Sequence, residues 1–155
     1  MVAGADRLHE ARVLGGVGEE PGRLLRRERR VGGIDDLRAF WIETRRLVDI
    51  YADGPTQARL DQAFGYCFVT APGSTYPPIL KPHPLAAGVP VTIDGAGGSL
   101  TVTPFRQRHG DIDSLGIRAG RFAYSCDVSD VPTESLSYVS GLDVWMVDAL
   151  RHRPH

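Results

Sequence analysis

The sequence predicts an α/β (α+β) fold with a mostly antiparallel or mixed sheet and flanking helices. Three observations predict it. Apolar residues recur at helical spacing in two early segments, an apolar run between them reads as a buried strand, and two later runs joined by glycine turns read as hairpins.

Residues 1–31 differ in texture from the rest. Arg23, Arg26, Arg27, Arg29 and Arg30 cluster around Glu28 behind the Gly-rich stretch LGGVGEEPG. A charge block of this kind reads as a poorly ordered leader, with a phosphate-contacting basic arm as the other reading. From residue 32 to 155 the pattern alternates. Asp35 or Asp36 is placed to cap a short helix in which Leu37, Phe40 and Trp41 share a face. Residues 47–52 read as a buried strand that stops at Asp53-Gly54-Pro55. Thr56 then caps a helix over 57–68, where Leu60, Ala63, Phe64 and Cys67 recur on one side. Five prolines make 71–87 an irregular loop or lid segment. The turn DGAGG opens a hairpin whose strand covers 99–105, and His109 follows as the chain leaves the sheet. A second hairpin joins 115–118 to Phe122–Ser125 through Ala119-Gly120 and leads to Asp127. A short helix near Thr133–Val139 and a strand over 143–147 complete the order, with Asp148 directly after that strand.

An imidazole and a carboxylate delivered from neighbouring strand ends can converge on one divalent cation, so His109 and Asp127 are the first candidates for a site. Loop carboxylates also cap turns, and residue type alone leaves both readings open. Cys67 and Cys126 stand far apart in apolar or strand-like settings and read as reduced packing residues, as in a cytoplasmic protein. Cys126 beside Asp127 ranks as packing before ligand. The net charge of −1 argues against a whole-chain electrostatic role on nucleic acid or an anionic membrane. No apolar run is long enough to span a bilayer, and residues 1–22 lack a secretory signal core. The glycines at 95, 97 and 98 open onto a strand, which excludes a dinucleotide loop, and no G-x-S-x-G occurs.

Five blocks carry a resemblance: GGIDDLRAFW at 32–41, DQAFGYCFVTAPGSTYPPIL at 61–80, VTIDGAGGSLTVTPFRQRHGDIDSLGIR at 91–118, YSCDVS at 124–129 and GLDVWMVDALRHRPH at 141–155. In this order they resemble the metallo-β-lactamase-fold hydrolases, in particular the phosphoribosyl cyclic phosphodiesterase-like branch. The resemblance implies that 32–155 is the central part of such a domain, a partial αββα sandwich. It implies hydrolysis of a small phosphodiester or nucleotide-like substrate at two divalent metal ions, zinc or manganese, through metal-activated water. Asp127 matches the carboxylate that spans both ions and His109 a histidine ligand of one, so both are expected to be catalytic and metal-binding. Asp35, Asp36 and Asp148 are expected as supporting carboxylates that orient ligand imidazoles. His155 is expected to contribute to substrate or metal binding, and Arg108 and Arg151 read as solvated before they read as attracting substrate phosphate.

One departure is decisive for the expected activity. In that family H-x-H-x-D-H stands just before the G-I-D-D-L-R block, and here 24–31 read LLRRERRV. Guanidinium groups stay protonated and repel cations, so these arginines cannot replace imidazole or carboxylate. Relatives also continue beyond the position of His155. The expectation is therefore an enzyme family member whose own turnover is small. The alternative is a non-catalytic remnant that holds a nucleotide or RNA through the Arg-rich arm. A homodimer is compatible with either.

Overall fold

A computed structural model of the chain describes residues 12–14 and 33–148. Apart from 12–14, the Arg-rich leader lies outside the described residues, as do Arg151, His152 and His155. The described residues form two compact units, one of 12–14 and 33–84 and one of 85–148.

The first unit has a three-stranded parallel sheet in the order β1 (Arg12–Leu14), β2 (Val48–Ala52), β3 (Leu80–Pro84). Ile50 and Ala52 of β2 are buried against Leu37, Leu60, Cys67, Ile79 and Leu80, so apolar residues from strands and helical segments share one core. Fully burying a side chain the size of Ile50 or Leu60 stabilises the fold by about 1.5–3 kcal/mol. The first helical segment is a 3₁₀ turn, Asp35–Leu37, that runs into α1 (Arg38–Thr44). Neither aspartate caps it: no side chain bonds the helix start, and the Asp35 carboxylate is engaged elsewhere. The second helix, α2 (Gly54–Phe64), starts earlier than the spacing predicts because Asp53, not Thr56, is the cap. The Asp53 carboxylate accepts from the Thr56 N–H at 3.0 Å, and Pro55 fits the first turn, where no N–H is needed.

The segment expected to be irregular contains a strand. Pro82 and Pro84 pair with Ile50 and Ala52, alternating with Lys81 and His83. A strand bonded on one side needs only alternate N–H groups, so proline is tolerated where β3 forms the sheet's edge. His83 Nε2 reaches Asp49 Oδ1 at 2.6 Å, and its ring stacks on Tyr51 at 4.6 Å between centroids.

The second unit has one mixed sheet in the order β4 (Val91–Gly95), β5 (Gly98–His109), β6 (Ile112–Ala119), β7 (Phe122–Ser125), β8 (Val144–Val147). The first four strands are antiparallel neighbours and β8 joins β7 in parallel. Gly98, at φ 111, closes the first turn, as the DGAGG run anticipates. The two expected hairpins are parts of one continuous ladder. His109 does not follow the sheet but ends β5, paired with Ile112 across a turn in which Gly110 takes φ 63. Arg106 and Arg108 are exposed while Gln107 is buried, so polar residues extend the strand through alternation alone. Pro104 is accommodated in β5 because its carbonyl, which accepts from the Gly88 N–H at 2.7 Å, and therefore its nitrogen face away from β6. The 3₁₀ helix Thr133–Val139 stands in the crossover from β7 to β8, and its Tyr138 stacks on Phe105 at 5.7 Å. Among the described residues no helix is long and apolar enough to cross a membrane.

Candidate metal centre

Strand alternation puts Phe105, Gln107 and His109 on one face of β5, opposite Gly116, Ser114 and Ile112 of β6. Phe105 and Gln107 are fully buried and His109 is half-buried. On β7 the buried positions are Ala123 and Ser125, and the Ser125 hydroxyl accepts from the Trp145 indole of β8 at 3.0 Å. The chain then leaves the ladder at Cys126, where two side chains catch its carbonyls. Gln107 Nε2 donates to the Cys126 carbonyl at 2.7 Å, and Ser114 Oγ donates to that of Asp127 at 3.3 Å. Between those carbonyls Asp127 sits at φ 53, in the left-handed region that Asp tolerates better than most residues.

Asp148 arrives from the other direction. Its N–H donates to the Ser125 carbonyl at 3.0 Å, which holds the end of β8 beside the start of the Asp127 turn. As a result one ligand atom each from Cys126, Asp127 and Asp148 lies within 4.8 Å of the others. Cys126 and Asp127 are half-buried and Asp148 is exposed, and the Cys126 thiol donates to Asp127 Oδ2 at 3.4 Å. Among the described residues this is the one grouping of three metal-ligating side chains at such spacing.

Of the sequence candidates, Asp127 and Asp148 are therefore together, joined by Cys126. His109 is not in that grouping, although its two chain neighbours are bonded to the segment that follows the Asp127 turn. Arg108 exchanges bonds with Ser129 and Asp130, and the Gly110 N–H donates to Ser129 Oγ at 2.9 Å. Asp36 is exposed on the 3₁₀ turn of the first unit, and His155 lies outside the described residues. Sequence reasoning ranked Cys126 as packing and passed over Gln107 and Ser114. The signal for Gln107 was its place two residues from Phe105 in an alternating strand.

Asp35 belongs to a cluster of its own in the first unit. Its carboxylate accepts from the Tyr66 hydroxyl and, at 3.6 Å, from the Cys67 thiol. The hydrogen bond to Asp35, then burial, pushes the Tyr66 hydroxyl up from 10.0 to about 12. Burial first, then the Asp35 charge, pushes the Cys67 thiol up from 9.0 to about 11. Both shifts favour the neutral form in the folded state. Their contribution to stability is thus complete at neutral pH and is lost as pH rises through about 9 to 12. Asp35→Asn is expected to return the Tyr66 phenolate titration, followed by ultraviolet absorbance, towards 10.0.

Two carboxylates and a thiol suit a single divalent cation, because zinc accepts oxygen and sulfur donors and catalytic zinc sites use three protein ligands. The described residues fit one such ion. A solved structure of a diphosphatase from the PhnP family aligns over 79% of this chain at 31% identity and a TM-score of 0.61; the chain spans 44% of that protein. An octanoyltransferase of Porphyromonas gingivalis (strain ATCC BAA-308 / W83) is 29% identical over 126 residues, which are 79% of this chain and 24% of the relative. The chain thus spans less than half of either protein's length. Its two sheets and short helices match a partial metallo-β-lactamase fold. Residues 30–155 match the model of the family described as "Beta-lactamase superfamily domain", and the chain belongs to that family.

Proposed function

We propose that the protein is a metal-dependent hydrolase of phosphodiester type, acting in the cytoplasm on a small cyclic phosphate or nucleotide-like substrate, with low turnover in this chain. The likeness to a PhnP-family diphosphatase supports the substrate class. Cys67 and Cys126 are both thiols rather than a disulfide, in keeping with a reducing compartment. The observation that carries the reading is the turn that presents Asp127 beside Asp148 and Cys126. Those three side chains would hold a divalent ion, zinc or manganese, and His109 on the adjoining strand end is the further donor assigned to it. A bound divalent ion supplies Lewis acidity towards a phosphoryl oxygen and acidifies water. The chain's own residues hold and orient: Asp127 and Asp148 bring anionic charge, and the exposed Arg108 offers a cation to substrate phosphate. A centre of two ions, as in the intact family, needs more donors than this cluster has.

The test is metal analysis joined to a hydrolysis assay on 2′,3′-cyclic AMP. We expect the purified chain to bind zinc or manganese stoichiometrically and to hydrolyse the cyclic phosphate slowly, with EDTA abolishing the reaction. A chain that takes up neither ion and shows no hydrolysis at any metal concentration would overturn the reading.

A further inference from the structure

We propose that Gln107, seconded by Ser114, is a positioning residue that sets the direction in which the Asp127 side chain leaves the backbone and so presents its carboxylate for cation binding. The inference rests on the metal-dependent reading above. The Cys126 carbonyl belongs to the peptide plane before the Asp127 Cα, and the Asp127 carbonyl to the plane after it. Fixing both planes fixes φ and ψ of Asp127, and with them the direction of its Cα–Cβ bond, from which the carboxylate has only a few staggered rotamers to choose. Those two carbonyls are the ones that Gln107 and Ser114 hold, at 2.7 and 3.3 Å. The clamps stand opposite each other in the ladder, Gln107 on β5 and Ser114 on β6, so both are borne by rigid strands. That is what a site needs if a turn outside the sheet must present a ligand in one orientation.

A merely structural role fits Gln107 poorly. Its side chain is fully buried, and Oε1 has no hydrogen-bond partner. A buried acceptor without a donor destabilises a fold, and an apolar side chain of equal length would fill the same space without that penalty. The surroundings also make room for the amide. A Cβ at Gly116 would lie 2.3 Å from Phe105 Cζ and 2.7 Å from Gln107 Oε1, so the glycine leaves space for the ring first and for the amide beside it. The polar end of Gln107 is therefore explained by the one bond it makes, to the carbonyl that precedes Asp127.

Gln107→Met keeps the length and removes the amide. The experiment measures thermal unfolding in EDTA, cobalt(II) affinity by chelator competition, and the visible spectrum of the cobalt-loaded protein, on the full chain and this variant. We expect Tm to change little, because the unpaired Oε1 and the donor to the Cys126 carbonyl are removed together, affinity for cobalt to fall about tenfold, and the spectrum to change as the ligand geometry loosens. Ser114→Ala should lower affinity in the same direction by a smaller factor. Unchanged affinity and spectrum in Gln107→Met would overturn the positioning role while leaving the metal reading intact. A fall in Tm that accompanies the affinity loss would reduce Gln107 to a structural residue and overturn it equally. Failure of the unaltered chain to bind cobalt would instead sink the metal reading, and this role with it.

Discussion

Alanine at position 116 is expected to lower the midpoint of thermal unfolding by about 5–10 °C, the equivalent of about 2–3 kcal/mol for a chain of this size. A Cβ built on Gly116 lies 2.3 Å from Phe105 Cζ, 2.5 Å from Phe105 Cε2 and 2.7 Å from Gln107 Oε1. None of these atoms can yield freely. Phe105 is fully buried and stacked on Tyr138, and Gln107 is fully buried and bonded to the Cys126 carbonyl. Opposing the clash is the smaller gain from stiffening the unfolded chain, about 0.4–1 kcal/mol for a glycine-to-alanine change. The clash wins. If the mechanism is overpacking, Phe105→Leu should recover part of the loss when combined with Gly116→Ala, giving a favourable coupling in a double-mutant cycle. Strictly additive losses, or a Gly116→Ala protein as stable as the parent, would show that the ring and the amide move aside.

What could be read from the sequence followed how local each cause is. The strand Phe122–Ser125 and the 3₁₀ helix Thr133–Val139 stand where turn residues and periodicity placed them. The spacing of Leu60 and Phe64 revealed α2, whereas its first turn was misplaced because Asp53 competes with Thr56 for the same capping role. β3 was illegible for a different reason. Proline in Pro82 and Pro84 argues against a strand unless one knows that the strand pairs on a single side, which depends on β2, some thirty residues away. At the site, Asp127 and Asp148 were both recognised at strand ends, but their convergence depends on β8 lying parallel to β7. A parallel crossover leaves no fixed spacing in a sequence. Cys126 adjoins Asp127 in the chain, but only the crossover adds Asp148 as the third member of the group. Gln107 was hidden because a polar residue in a strand normally faces water, and here it turns inward to a carbonyl outside the sheet.

Asp127→Asn is expected to remove divalent cation binding almost wholly while leaving the fold in place. Asparagine tolerates the left-handed backbone as readily as aspartate, so the φ of 53 at this position is retained without new strain. The Asp127 carbonyl remains available to Ser114 and the Cys126 carbonyl to Gln107, so the turn keeps both clamps. What changes is charge. A carboxylate is an anionic donor to a hard or borderline cation, and an amide oxygen is neutral and weaker. The loss should therefore exceed the ~10–100-fold that removal of an outer-sphere partner causes, and it should exceed the loss in Gln107→Met. Unfolding in EDTA should be shifted little, because the carboxylate is only half-buried and the two carbonyl bonds that hold the turn are untouched by the change. Zinc titration followed by calorimetry, with unfolding measured in parallel, checks both halves. Zinc affinity in Asp127→Asn equal to that of the parent would move the cation away from this turn, and with it the assignment of Asp148 and Cys126 as its companions.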